Sequence, residues 1–521
     1  MKKKSLSLIS LMLVMVMLLT ACTGDGEPAS SDPGSENTGT SSNEGRTDLN
    51  LQLYAEPTHL DPHYSTSTYD MAVMYQIYDN LFEIVDGDYD NPQPSLCESY
   101  EVNEDATEFI FHIRQGVTWQ NGDTLTGEDV EFSLNRMRES AVTQMRVSFI
   151  TDVELVDEYT VKVTNSYSAP RLPALLSTAS MSIVNKKLVE QYGDKAVETV
   201  VGTGAYKLEN WEPGQGITLT ANEDCWRGSP EIKTVTYTVM TDMTAARVAL
   251  QNGDLDMYVA TTIDDYDLFK DDPNYTSGPV TISTTASLMM NTSTSVLSDP
   301  LIREAIEYAI DAEQVNMAVT GGLATTVNSI YPIDAMGYTE DVPKYEYDPE
   351  KAKELLAQAG YNGEEIGLVY SASTIKTSSW ATTIQAFLNA VGINVRMEGV
   401  DTATAYSRAA SYDYDMCYFE YTVSLANPAT AIWGLFRSDG TYNGAQYFSD
   451  ELDALCLEAM ASPTEEHQRE VLEEINKITL DLCLYVPMFQ NNTYYFAAAG
   501  LAGIDHEPLS GWFKVCHMNW E

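Results

Sequence analysis

Several residues in this chain have types and spacings that could do chemistry. His59 and His63 are four apart, a spacing that puts two imidazoles on one helix face where they could grip a metal. Pro57 and Pro62 oppose a helix there, so the geometry is not delivered and no metal is expected. Asp86, Asp88 and Asp90 begin like a calcium loop, but Asn91 stands where the turn needs glycine and Cys97 where the loop needs a closing glutamate. Gly202-Thr203-Gly204 lacks the third glycine of a dinucleotide fingerprint. No GxSxG, HExxH or Walker A pattern occurs, and with 77 acidic residues no carboxylate pair stands out. Neither a catalytic residue nor a cofactor is therefore expected from these motifs.

The elements that would position a binding site alternate between strand and helix. Leu49 to Tyr54 reads as the first strand, and Glu108 to Arg114 alternates apolar and polar as a half-buried strand does. Asn121-Gly122 marks a turn, and Thr126 with Asp129 forms a capping-box variant. Residues 153–163 read as two short strands around Asp157-Glu158, and Thr234 to Met240 as another strand. Helices are expected over 244–252, 351–359 and 380–391, stopped by Gly253, Gly360 and Gly392 in left-handed caps. A strand follows over 393–397. Asp299-Pro300 and Asp348-Pro349 each place a cap before a first-turn proline. Ser462-Pro463-Thr464-Glu465 reads as a capping box opening a helix with Val471, Leu472, Ile475, Ile478 and Leu482 on one face. The alternation predicts mixed α/β lobes.

Size and charge narrow the class. At 521 residues the chain is too long for one core, so two or three lobes are expected. A net charge of −48 repels a polyanion and excludes nucleic acid as a partner. The acidity reads as a solvated surface rather than as a statement about the ligand. The seven cysteines include no CxxC pair, which excludes a zinc ribbon or thioredoxin motif and leaves disulfide pairing open.

The N-terminus has three lysines, an apolar run from Leu6 to Leu19, and then Thr20-Ala21-Cys22. A run of this length is too short to span a bilayer and reads as a secretory signal over residues 1–21. A small residue followed by cysteine resembles the lipobox of bacterial lipoproteins. The resemblance implies cleavage before Cys22, a lipid on its thiol, and a domain held outside the cell at its membrane. Residues 23–47 contain no large apolar side chain and are expected to form a flexible tether. We place the lipidated cysteine and this linker together at 22–47.

The body resembles the family 5 extracellular solute-binding proteins, the dipeptide and oligopeptide receptors of ABC importers. The fragments that carry the resemblance run in order. They are His59-Leu60-Asp61-Pro62-His63, Ile77 to Glu83, Phe111 to Val117, Leu125 to Ser133, Val201 to Leu208, Ala249 to Asp256, Arg303 to Asp311 and Tyr347 to Leu356. The resemblance implies an α/β, two-lobed fold like that of class II periplasmic binding proteins, with an extra inserted subdomain. It places lobe I at 48–78, 200–285 and 487–521, the insertion at 79–199 and lobe II at 286–486. It implies a monomer that captures a short peptide and passes it to a membrane permease with an ATPase subunit. Other readings are a receptor for a nickel chelate, an oligosaccharide or an opine-like compound, a sensor coupled to a kinase, and a secreted cell-wall peptide hydrolase.

Peptide receptors of this family hold the peptide's amino end with an aspartate. Ungapped placement from Tyr414-Asp415 puts that position on Ser424, its aromatic neighbour on Tyr421 and a small residue on Glu420. Serine carries no charge to pair with an ammonium. Either Glu420 takes over as counter-ion, or the ligand has no amino end. Matching positions also suggest Ser67, Thr68 and Tyr69 as ligand contacts in lobe I, and Phe489, Gln490 and Asn491 near the second crossover.

Overall fold

The computed structural model describes residues 45–65, 67–260, 263–506 and 512–521. The expected signal segment, Cys22 and the linker up to residue 44 lie outside the described residues.

One large sheet carries the architecture. Its strands are β1 (Asp48–Leu53), β2 (Tyr206–Glu212), β3 (Gly216–Ala221), β4 (Thr234–Val239), β5 (Met257–Ala260), β6 (Tyr275–Met290), β7 (Thr325–Thr326), β8 (Glu365–Ser371), β9 (Asn394–Val400), β10 (Met416–Thr422) and β11 (Tyr485–Ala498). They are ordered β9-β8-β10-β6-β11-β5-β1-β4-β3-β2, with β7 paired to β11. Parallel pairs on either side, β8 with β9 and β1 with β4, are joined through the long antiparallel strands β6 and β11, of 16 and 14 residues. The register of that pair shifts between Thr281 and Thr285, a β-bulge in β6.

The cores divide along these two strands. Val280 and Ala497 pack with Leu49, Leu51, Met74 and Val235. Ala286, Leu288, Met488 and Phe489 pack instead with Leu368, Trp380 and Ile384. A separate antiparallel sheet (Cys97–Val102, Glu108–Ile113, Thr160–Asn165, Ile150–Asp157) has its own core around Phe109, Phe111, Trp119 and Leu134. The alternation in Glu108–Ile113 sends Phe109, Phe111 and Ile113 into that core.

Local signals account for most boundaries. Thr126 and Asp129 exchange hydrogen bonds as a capping box for the helix Gly127–Glu139. Gly253, Gly360 and Gly392 are left-handed caps at φ of 79°, 71° and 96°. Two expectations need correction. The helix expected from Trp380 begins at Ile375, capped by the Thr374 hydroxyl, because the cap outweighs weak helix formers in Ile375–Ser379. The helix Glu465–Asp481 is capped by Thr464 and not Ser462, whose hydroxyl donates to the Glu458 carbonyl.

Two motifs set aside in the sequence find a structural use. At Gly202 a Cβ would lie 1.8 Å from the Ile77 carbonyl oxygen, and the Gly204 N–H donates to that same oxygen at 2.9 Å. Only glycine permits this approach, so the stretch closes the junction between the insertion and β2. Both ring nitrogens of His63 are engaged, Nε2 with the Ser182 carbonyl at 2.8 Å and Nδ1 with Arg136 at 2.9 Å, leaving no lone pair for a metal. Cys97, Cys225, Cys417, Cys456 and Cys483 are buried free thiols and Cys516 is half-buried.

Candidate functional site

β1 ends at an aromatic-lined cavity of about 410 Å³. Tyr54 follows the strand. Tyr69 comes from the helix Thr68–Ile77, with ring centroids 6.2 Å from Tyr54 and 5.6 Å from Trp512. Met243, Met257, Val259, Ile282 and Thr493 add to the wall, and among the described residues none that line it is charged. Burial, with Tyr54 alongside, raises the Tyr69 hydroxyl above its ordinary range, so it stays a neutral donor. The Trp512 indole N–H is buried without an acceptor among the described residues. A ligand oxygen would satisfy it.

Thr493 leads from this cavity to a charged cluster. It shares a face of β11 with Asn491, two residues and about 7 Å away. Asn491 donates to Glu420 Oε1 at 2.9 Å, and Lys376 Nζ donates to the same oxygen at 2.7 Å and to Asn491 Oδ1 at 3.0 Å. The Tyr418 hydroxyl donates to Oε1 at 2.6 Å. All these contacts fall on Oε1, so among the described residues Oε2 keeps its acceptor capacity. Burial works to raise the Glu420 carboxyl, but Lys376, Tyr418 and Asn491 outweigh it and hold it below the usual range. It is ionised at neutral pH. The side chains of Lys376 and Glu420 are 39% and 36% exposed, so the pair faces open space and its partners can be exchanged.

The other expected site residues are placed differently. Ser67 caps the helix Thr68–Ile77 by accepting from the Tyr69 N–H, while Thr68 lines the cavity. Strand alternation sends Tyr421 to the face opposite Glu420. There its ring stacks on Phe419 at 5.7 Å and its hydroxyl donates to the Ala431 carbonyl. Ser424 Oγ accepts from the Asn427 N–H and shapes the turn before the helix Pro428–Phe436. Phe489 is fully buried in the core with Trp380 and Leu288, and so offers no surface to a ligand. Gln490 is also buried, donating to the Ile282 carbonyl and accepting from the Ile333 N–H, which ties the crossing strands together. Of that trio only Asn491 reaches the site. Sequence reasoning missed Lys376, Tyr54 and Trp512. One signal for Lys376 was available: a cation in the first turn of a helix opposes its dipole, so another requirement keeps it there.

The large sheet carries two cores, and along β11 an aromatic cavity lies beside an exchangeable ion pair, an arrangement suited to holding a small solute. Residues 91–443 match the bacterial extracellular solute-binding proteins, family 5 middle region, and the chain belongs to that family. It is 25% identical over 470 residues to the probable D,D-dipeptide-binding periplasmic protein DdpA of Escherichia coli, covering 87% of this chain and 90% of that one. It is 26% identical over 453 residues to heme-binding protein A of Haemophilus influenzae, covering 80% and 82%. Its fold is similar to the crystal structure of NikA from Brucella suis in complex with Fe(III)-EDTA, with a TM-score of 0.83 at 20% identity over 91% of this chain and 100% of that one. The ligands in these three names differ widely, so the family leaves the solute open. Among the described residues no helix is long and apolar enough to cross a membrane.

Proposed function

We propose that this protein is the solute-capturing component of an ABC importer and that its solute is a small zwitterion, foremost a short peptide. The observation that carries this reading is the ion pair of Lys376 and Glu420 beside an uncharged aromatic cavity. A ligand with one charge gains little from a pair with no net charge. A ligand carrying both an ammonium and a carboxylate can address both partners, with Glu420 Oε2 accepting from the ammonium and Lys376 turning to the carboxylate. Its apolar side chain then fills the tyrosine and tryptophan pocket. A solute without an amino end, such as a metal chelate or an oligosaccharide, would leave Oε2 unpaired in a closed cleft.

In this reading lobe I (48–78, 200–285, 487–521) and lobe II (286–486) close on the solute, with the insertion (79–199) riding on lobe I. The packing of Met488 and Phe489 with Trp380 favours a second crossover nearer residue 490. Closure excludes water and strengthens the polar contacts, and the solute favours the closed form only by its differential affinity. A lipid on Cys22 would hold the monomer at the outer face of the membrane, where a permease and its ATPase take the solute unreacted.

Glu420→Gln keeps the size of the side chain and one oxygen for its present donors, but removes the charge and the second acceptor oxygen offered to the ammonium. Affinity for a free-ended dipeptide is expected to fall roughly 10- to 100-fold by titration calorimetry, the worth of one charge-assisted hydrogen bond. Unchanged affinity would remove Glu420 from the site. Lys376→Met is expected to weaken the same peptide while leaving its C-terminal amide little affected.

A further inference from the structure

Asp90, in the acidic stretch of the sequence, meets an arginine that reaches across the cleft rim. Arg171 precedes the short helix Leu172–Leu175 of the insertion, and its side chain is only 6% exposed. Its Nη1 bonds Asp90 Oδ1 at 2.8 Å within the insertion and Glu465 Oε2 at 3.2 Å in lobe II. Its Nη2 donates to the Tyr89 carbonyl at 3.0 Å and to the Leu425 carbonyl at 2.9 Å. A second lobe II arginine, Arg469, meets the other oxygen of Asp90 at 2.6 Å. Beneath this network Ile84, Tyr89 and Ala174 of the insertion pack against Val423, Leu425 and Ala426 of lobe II.

The insertion itself is tied to lobe I. Gln120 Nε2 donates to the carbonyls of Ile77, Gly204 and Tyr206, and Arg136 pairs with Asp61. Lobe II therefore cannot swing away from lobe I without breaking the Arg171 bonds and wetting the apolar patch. Leu425 and Ala426 lie three and four residues beyond the end of the strand that presents Glu420, so the contact also restrains the segment that follows the ion pair.

We propose that Arg171 is the closure latch of this receptor: it holds lobe II against the insertion even when the cleft is empty, and so sets the open-to-closed balance on which solute affinity depends. A charged network suits a latch better than a larger apolar seam would. Its members are rehydrated on opening, so it breaks and re-forms. This inference rests on the two-lobe reading above, but its test needs no solute.

Hydrogen exchange on the ligand-free full chain reads it directly. In the wild type, amides of 84–90 and 423–431 are expected to exchange slowly. In Arg171→Gln both segments are expected to exchange on the order of 10- to 100-fold faster, while 109–113 and 161–163 in the insertion's own core stay unchanged. Fast exchange of both rim segments in the wild type, or wild-type exchange in Arg171→Gln, overturns the latch. Should Arg171→Gln fail to fold, Asp90→Asn, at a 44% exposed position, decides by the same criterion. Failure of the latch leaves solute capture standing, because a receptor without a latch still binds. Failure of the solute reading appears separately, as absence of binding.

Discussion

Replacing Arg136 with methionine is expected to cost about 3–5 kcal/mol of stability, seen as a large drop in the urea midpoint. Arg136 lies in the helix Gly127–Glu139 of the insertion and is 6% exposed. Its guanidinium grips Asp61, itself 4% exposed, through Nη1 to Oδ1 at 2.9 Å and Nη2 to Oδ2 at 2.5 Å. Nη2 also reaches Asp194 at 2.7 Å. Burial works to raise the Asp61 carboxyl, but the facing guanidinium outweighs it and holds it below the usual range. Methionine keeps much of the packing volume and strands a buried carboxylate, the expensive half of a broken pair. Replacing Asp61 with asparagine in the Arg136→Met background is expected to recover part of the loss, since the stranded charge goes with it. No recovery would mean that packing, not charge, supplies the effect.

The same network predicts an acid-sensitive fold. His63 is fully buried. Its Nε2–H donates to the Ser182 carbonyl and its Nδ1 accepts from Arg136, so the ring is held neutral. Burial first, and then the Arg136 charge, pull the imidazole from 6.5 down to about 4, against the opposing pull of Asp61 and Asp194. Above pH 6.5 the ring is neutral folded or unfolded, and its contribution is fully present. Between about 6.5 and 4 only the unfolded chain takes up the proton, so stability falls with pH. Below about 4 both states are protonated and no more is lost. The total is about 3 kcal/mol. Asp61 titrates below this window and adds its own loss further down. Urea midpoints measured from pH 7 to 4 should fall steadily in the wild type and much less in His63→Gln, which can keep a donor toward Ser182 and an acceptor toward Arg136. Equal slopes in the two proteins would remove His63 as the cause.

Local chemistry was legible in the sequence and long-range meetings were not. Thr126 with Asp129 opened a helix, and Gly253, Gly360 and Gly392 ended helices, where expected because caps act within one turn. The start at Ile375 was not legible, because Thr and Ser residues there are weak helix formers and only the Thr374 hydroxyl decides it. Glu420 and Asn491 came from the resemblance and do meet, at 2.9 Å. Lys376 stands 44 residues before Glu420, and nothing local ties the two. Tyr421 and Phe489 turned from the cleft for reasons set by pairing. One lies on the face of β10 opposite Glu420, and the other sits where β7 and β6 cover β11.

The claim that this receptor captures a small zwitterion is tested most directly by thermal shift with one dipeptide in four forms: both ends free, N-acetylated, C-amidated, and both ends blocked. The free peptide should raise the melting temperature most, either single block should sharply reduce the shift, and the peptide should be recovered intact. Equal shifts from all four forms, or recovery of cleaved peptide, would contradict the account.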